Sequence, residues 1–268
     1  MTEVKVDLRG VVVSRRVWRR HDAPLPTSGE ATASGVDAAS GEAAASTEPT
    51  ASGVDAASGS GPEPPPPVVL LPGTGMTARD WDDVAHVLST TRTAHAVDLR
   101  GHGSSSQPGR YSIALMAADV VGLLDRVCAG PVDLVGHSLG GLVACRVAAQ
   151  RPDLVRRLVL EDVGMPHARR PAAPERPPGE LDFDWAVVEQ VRPEIDDPDP
   201  GWAAVVRGIE APTLVVGGGA KSTVPQHHVR ELADSLRDGR SATVDTGHLV
   251  HATAPARFLE LVVAFLDG

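Results

Sequence analysis

Val132-Asp-Leu-Val-Gly-His-Ser-Leu-Gly-Gly141 reads as an apolar strand, a tight turn and the start of a helix. The Gly-x-Ser-x-Gly spacing is that of a nucleophile elbow. Gly136 and Gly140 carry no β-carbon, so strand and helix can close on each other across the turn. Ser138 is then held on a strained backbone with its hydroxyl exposed. It also stands at a helix N-terminus, where free N–H groups and the helix dipole favour developing negative charge. The Leu139 N–H is a candidate oxyanion donor.

Outward from this turn, short apolar runs alternate with helical spacing. Val4–Leu8 and Val11–Trp18 read as two strands with a turn near Gly10. Val68–Leu71, Thr93–Leu99, Val132–Val135, Leu158–Leu160, Thr213–Val216 and Ala242–Val244 read as further strands. Helices are expected over Asp80–Leu88, from a Ser112 cap to Cys128, and over Leu139–Gln150, Pro225–Leu236 and Arg257–Leu266. This alternation predicts an α/β fold with a mostly parallel, doubly wound sheet covered on both faces. Two stretches interrupt it. Residues 24–67 are nearly all Ala, Ser, Gly, Thr, Pro, Asp and Glu, and the stretch from Thr32 to Gly41 recurs at Thr50 to Gly59. Such a segment cannot bury enough apolar surface to offset its ordering entropy, so it is expected to be a disordered insertion. Residues 164–208, rich in Pro, Asp and Arg, are too long for an ordinary connection and are expected to form a short helical cap over the carboxyl ends of the strands. The sheet-bearing core is then expected in three pieces, 1–23, 68–163 and 209–268.

Across 268 residues, 25 Lys+Arg face 35 Asp+Glu for a net charge of −10, with 42% hydrophobic and 3% aromatic residues. This acidic, aromatic-poor balance excludes a general nucleic-acid binder. No stretch approaches the roughly 20 apolar residues of a membrane helix, and residues 1–10 lack a signal-peptide core. A cytoplasmic protein with no membrane partner is expected. Cys128 and Cys145 are too few for a disulfide framework and read as small buried residues.

Three further motifs surround the elbow: Leu70-Leu-Pro-Gly-Thr-Gly-Met76 with Asp80-Trp81, Asp98-Leu-Arg-Gly-His-Gly-Ser104, and Gly247-His-Leu-Val-His251. With these, the chain from Val68 onward resembles the α/β-hydrolase superfamily. The resemblance implies that Thr74 gives a second oxyanion N–H. Where the family usually has His before the loop glycine, this chain has Pro72, so support around that loop must differ. His248 follows the last expected strand in the position of the family's catalytic His. His251 suits a packing or hydrogen-bonding role, and His102 and His137 belong to local turns. His227-His228 opens a helix, but without a Cys or carboxylate cluster at ligand spacing no metal site is expected.

The family usually places the triad acid after the strand that follows the cap. Here no Asp or Glu occurs from Ala211 to Arg230. Some family members carry the acid at the tip of the preceding strand, which here ends Leu158-Val-Leu-Glu-Asp162. Asp162 is favoured over Glu161 because strand alternation sends Glu161 to the other side. Ser222 is a candidate auxiliary group on His248 or Asp162. Serine at the elbow disfavours epoxide hydrolases and haloalkane dehalogenases, which resemble this family but use Asp there. The resemblance implies a cofactor-free serine hydrolase of a small carboxylic ester, thioester or lactone, working through an acyl-enzyme. The alternatives are a non-catalytic binding protein of the same fold, or a carbon–carbon hydrolase or cofactor-free peroxidase relative. Met76, Met165, Trp185 and Trp202 are candidate pocket-lining residues.

Overall fold

Each central strand of this chain sends apolar side chains to both faces, which only a sheet covered on both sides can satisfy. In the computed structural model, which describes residues 1–20, 65–171 and 173–268, this is the arrangement found. The strands are β1 (Thr2–Asp7), β2 (Val12–Trp18), β3 (Val68–Leu71), β4 (Ala94–Val97), β5 (Val132–His137), β6 (Val155–Glu161), β7 (Thr213–Gly217) and β8 (Gly239–Thr243). They form one sheet in the order β1-β2-β4-β3-β5-β6-β7-β8. The β1–β2 and β2–β4 pairs are antiparallel, and every pair from β4 to β8 is parallel. The insertion expected at 24–67 lies, as far as residue 64, outside the described residues. The sheet's hydrogen bonding resumes at Pro67, whose carbonyl accepts the Asp133 N–H at 2.9 Å.

Eight α-helices among the described residues complete the fold: α1 (Asp82–Leu88), α2 (Ile113–Val127), α3 (Leu139–Gln150), α4 (Ala186–Asp196), α5 (Trp202–Arg207), α6 (Gln226–Ser235), α7 (Val250–Thr253) and α8 (Pro255–Asp267). Alternation along the strands sorts the core into two layers. Val69, Leu71, Leu134, Leu158, Leu160 and Val215 pack with α2, α3 and α6 on one face. Val68, Leu70, Val135, Val159, Leu214 and Val216 pack with α1 and α8 on the other.

Several expected boundaries shift for identifiable reasons. The helix expected from Asp80 begins earlier, as a 3₁₀ turn over Ala78–Trp81 under a Thr77 capping box closed by Asp80. Strand β4 stops at Val97 because Asp98 turns back to accept the Ala78 and Ser104 N–H groups at 2.7 and 3.0 Å. Strand β8 lies at Gly239–Thr243 rather than 242–244; this largely exposed edge strand has no apolar alternation to announce it. Ser112 caps α2 as expected, accepting the Leu115 N–H at 3.0 Å.

Between β6 and β7 the chain leaves the sheet and forms α4 and α5. This segment is tied to the loop after β4 and to the start of α2. Gly103 N–H donates to the Asp182 carbonyl and Asp184 N–H to the Gly101 carbonyl, each at 2.7 Å. The Tyr111 hydroxyl donates to Asp184 at 2.6 Å, and Glu194 accepts the Ile113 N–H at 3.2 Å. Val187 and Val191 of α4 are buried.

The turn from β5 into α3 depends on glycine. A β-carbon on Gly136 would lie 2.5 Å from the Gly140 carbonyl oxygen, and one on Gly140 would lie 2.5 Å from that of Pro72. Gly140→Ala must therefore push the Pro72–Gly75 loop away from the head of α3. It is expected to cost about 1–3 kcal/mol, read as a lower denaturant midpoint at unchanged slope; an unchanged midpoint would contradict this packing.

Candidate active site

Three neighbouring strands, β5, β6 and β7, end side by side, and Ser138 and Asp162 stand at the tips of the first two. The Ser138 N–H donates to the Glu161 carbonyl at 3.1 Å, and the Asp162 N–H to the Val216 carbonyl at 2.7 Å. Both residues take a left-handed backbone, φ 50° at Ser138 and φ 49° at Asp162. For a non-glycine residue this costs about 1–3 kcal/mol and persists only where the surroundings enforce it. At Ser138 the enforcement comes from the close approach at Gly136 and Gly140. Leu139 is the first residue of α3, where N–H groups have no intrahelical acceptor.

The Asp162 carboxylate is fully buried and accepts from four donors. Oδ2 accepts His248 Nδ1–H at 2.7 Å and the Ser222 hydroxyl. Oδ1 accepts the Gly218 N–H at 2.8 Å and Gln226 Nε2–H at 3.2 Å. The Ser222 oxygen itself accepts the Val224 N–H at 2.9 Å, which leaves its proton for Asp162. Burial raises the carboxyl pKa, but the bonds from His248, Ser222, Gly218 and Gln226 lower it by more, and it sits below its ordinary value. With Nδ1–H committed to Asp162, the neutral His248 ring keeps its lone pair on Nε2.

His248 is positioned through Gly218. Thr246 and Gly247 N–H groups donate to the Gly218 carbonyl at 3.1 and 2.9 Å. Gly218 thus grips Asp162 with its N–H and the His248 loop with its carbonyl. A β-carbon there would overlap the Gly247 carbonyl, so this approach requires glycine.

Ser138, Leu139, Asp162, Thr74 and His248 all line one cavity of about 680 Å³. Met165 and Trp202 belong to its wall, together with Ile113, Leu142, Val188 and Val191; Met76 and Trp185 do not. Neither cysteine lines it. Cys145 is buried, and burial pushes its thiol up to about 12; Cys128 is half-buried.

The support missing at Pro72 is supplied by two histidines that sequence reasoning placed only in their own turns. A β-carbon on Gly73 would lie 2.6 Å from His137 Nδ1, so the loop rests directly on that ring. His137 Nε2–H donates to the His248 carbonyl at 3.0 Å. Burial pushes its pKa down to about 4 against the raising pull of Glu161, so it is neutral at pH 7. His102 accepts the Gly75 N–H on Nε2 at 3.1 Å, while its Nδ1–H faces the Arg100 carbonyl at 3.1 Å. No sequence signal joins these rings to the Pro72–Gly75 loop, because the contacts form only when three loops meet.

Glu161 faces the opposite layer, as alternation predicts. Its carboxylate accepts the His251 N–H at 2.8 Å and sits 2.7 Å from His251 Nδ1. The His251 ring stacks on Trp81 at 4.2 Å between centroids. Glu161 and His251 are buried, and neither belongs to the cavity wall.

Comparison with known proteins agrees with this fold. A family model described as the alpha/beta hydrolase fold matches residues 66–186. The chain is 44% identical over 100 residues to an esterase of Mycobacterium tuberculosis (strain ATCC 25618 / H37Rv), covering 37% of this chain and 33% of the esterase. It thus aligns with about a third of that relative's length. It is 25% identical over 248 residues to the sn-1-specific diacylglycerol lipase ABHD11 of Mus musculus, covering 75% of this chain and 81% of that protein. A solved structure of a hydrolase from Pseudomonas aeruginosa PA01 superposes with a TM-score of 0.71 at 22% identity, covering 100% of this chain and 99% of that one. The elbow, the parallel sheet order and these matches together show that the chain has the alpha/beta hydrolase fold.

Proposed function

We propose that the chain is a serine hydrolase that cleaves a small carboxylic ester, thioester or lactone through an acyl-enzyme. The observation that carries the reading is the Asp162–His248 hydrogen bond of 2.7 Å in a cavity that Ser138 also lines. In this reading Asp162 fixes the His248 tautomer, and Nε2 takes the Ser138 proton as the hydroxyl attacks the acyl carbon. The Thr74 and Leu139 N–H groups receive the negative charge that develops on the carbonyl oxygen. Protonated His248 then gives its proton to the leaving group, and water, activated by the same ring, releases the acyl group. Ser222 keeps the acid ionised by donating to it. The relatives named for esterase and diacylglycerol lipase activity support an ester-type substrate.

The alternative of a non-catalytic binding protein arose from the absence of an acid between Ala211 and Arg230. Asp162 beside His248 supports the catalytic reading over it. Among the described residues, no helix is long and apolar enough to cross a membrane.

A fluorophosphonate probe is expected to label the native chain and to leave Ser138→Ala unlabelled; equal labelling of both, or of neither, contradicts the nucleophile. On p-nitrophenyl esters, Asp162→Asn is expected to lose on the order of 10⁴-fold in kcat and Glu161→Gln far less. Equal losses would remove Asp162 from the acid role.

The carboxylate also sets a pH signature. A carboxyl group with a depressed pKa in the folded state contributes stability that is complete above its ordinary pKa and lost as pH falls through the folded value. Asp162→Asn is therefore expected to melt below the parent at pH 7, with a gap that narrows as pH falls below about 4. A gap that stays constant into acid would contradict the depressed pKa.

A further inference from the structure

At the rim of the same cavity stands a group of side chains that the proposed chemistry does not use. His228 and Glu231 lie one helical turn apart on α6 and so share a face. His167, 64 positions before Glu231, comes from the segment after β6, and its Nε2 is 2.7 Å from Glu231 Oε2. The His167 and His228 rings are 4.5 Å apart between centroids. One nitrogen from each histidine and one oxygen of Glu231 all lie within 4.8 Å of one another.

The backbone beneath these groups is fixed by contacts of its own. The Met165 N–H donates to the His228 carbonyl at 2.8 Å. A β-carbon on Gly164 would lie 2.8 Å from the His228 β-carbon, so only glycine lets this segment approach α6 so closely. The spacing of the three donor residues is therefore set by the protein itself.

We propose that His167, His228 and Glu231 form a binding site for a divalent transition metal of the zinc class at the mouth of the cavity. Two imidazoles and one carboxylate suit zinc, whereas calcium and magnesium prefer all-oxygen shells. Tetrahedral zinc with bonds of about 2.0–2.2 Å places its donors about 3.4 Å apart, within reach of small rotations of these side chains. His167 and Glu231 are both substantially exposed, which leaves them free to make that adjustment. Three protein donors leave a fourth position, and both histidines belong to the wall that Ser138 and His248 share. A metal held there would present its fourth position to the cavity and could take an anionic oxygen of a bound ligand. Spacing around His227-His228 leads to no metal site being expected, because His167 joins His228 and Glu231 from the far side of β7 in the chain. The site does not depend on the proposed hydrolase activity.

The test is metal binding to the full, tag-free, chelator-stripped chain. Zinc titrated by calorimetry is expected to bind at one equivalent, and cobalt(II) to develop the intense visible bands of a four- or five-coordinate site. Glu231→Gln and His167→Ala are each expected to weaken zinc binding at least tenfold with little change in the metal-free melting temperature, and His227→Ala to keep it. The absence of saturable binding would overturn the proposal, leaving His167 and Glu231 as an exposed pair of small energetic value. Binding undiminished in both variants, or abolished by His227→Ala, would overturn the assignment of these ligands.

Discussion

The buried carboxylate of Asp162 is where the elements around the site meet. It directly follows β6, it accepts the N–H of the turn after β7, it takes Gln226 from the start of α6, and it holds the His248 ring. A charged group taken fully out of water is costly unless its lone pairs are filled, and here four donors fill them. Withdrawing any one leaves the others to carry a buried charge. The same bonds fix the distance between the β6 tip and the His248 loop, and so decide which cavity wall the imidazole occupies.

This arrangement accounts for the glycines after β7. A chain with its acid at the usual place would need a side chain there. In the proposed reading the acid is Asp162, one strand over, and Gly217-Gly-Gly219 lets the His248 loop settle onto the turn. Two histidine–carboxylate pairs then emerge from adjacent residues of one strand. Asp162 with His248 faces the cavity, while Glu161 with His251 is sealed beneath Trp81. His137 lies between them, its ring 4.6 Å from His248 and 5.5 Å from His251 between centroids. It links the His248 backbone to the Gly73 loop that bears Thr74.

Much of this was legible in the residues. The central strands announce themselves because burial on both faces demands unbroken apolar runs, as at Val68–Leu71 and Leu158–Leu160. The elbow was legible because close approach permits only glycine at 136 and 140. Asp162 and Glu161 could be told apart by strand alternation alone. Edge strand β8 was misplaced because an exposed strand needs no hydrophobic pattern, and the 3₁₀ start of the first helix because its capping box closes with Asp80 rather than Glu or Gln. The support of the Thr74 loop by His102 and His137, and the meeting of His167 with Glu231, depend on contacts between distant loops. Composition and spacing along the chain do not encode such meetings.

The claim on which the account rests is that Asp162 holds His248 with its proton on Nδ1 and a lone pair on Nε2. Nitrogen-15 NMR of the histidine rings at neutral pH tests it directly. The account predicts a His248 resonance pair with Nδ1 protonated and Nε2 bare, and loss of that preference in Asp162→Asn. A His248 ring protonated on Nε2 in the native chain, or one whose tautomer is indifferent to Asp162, would contradict it.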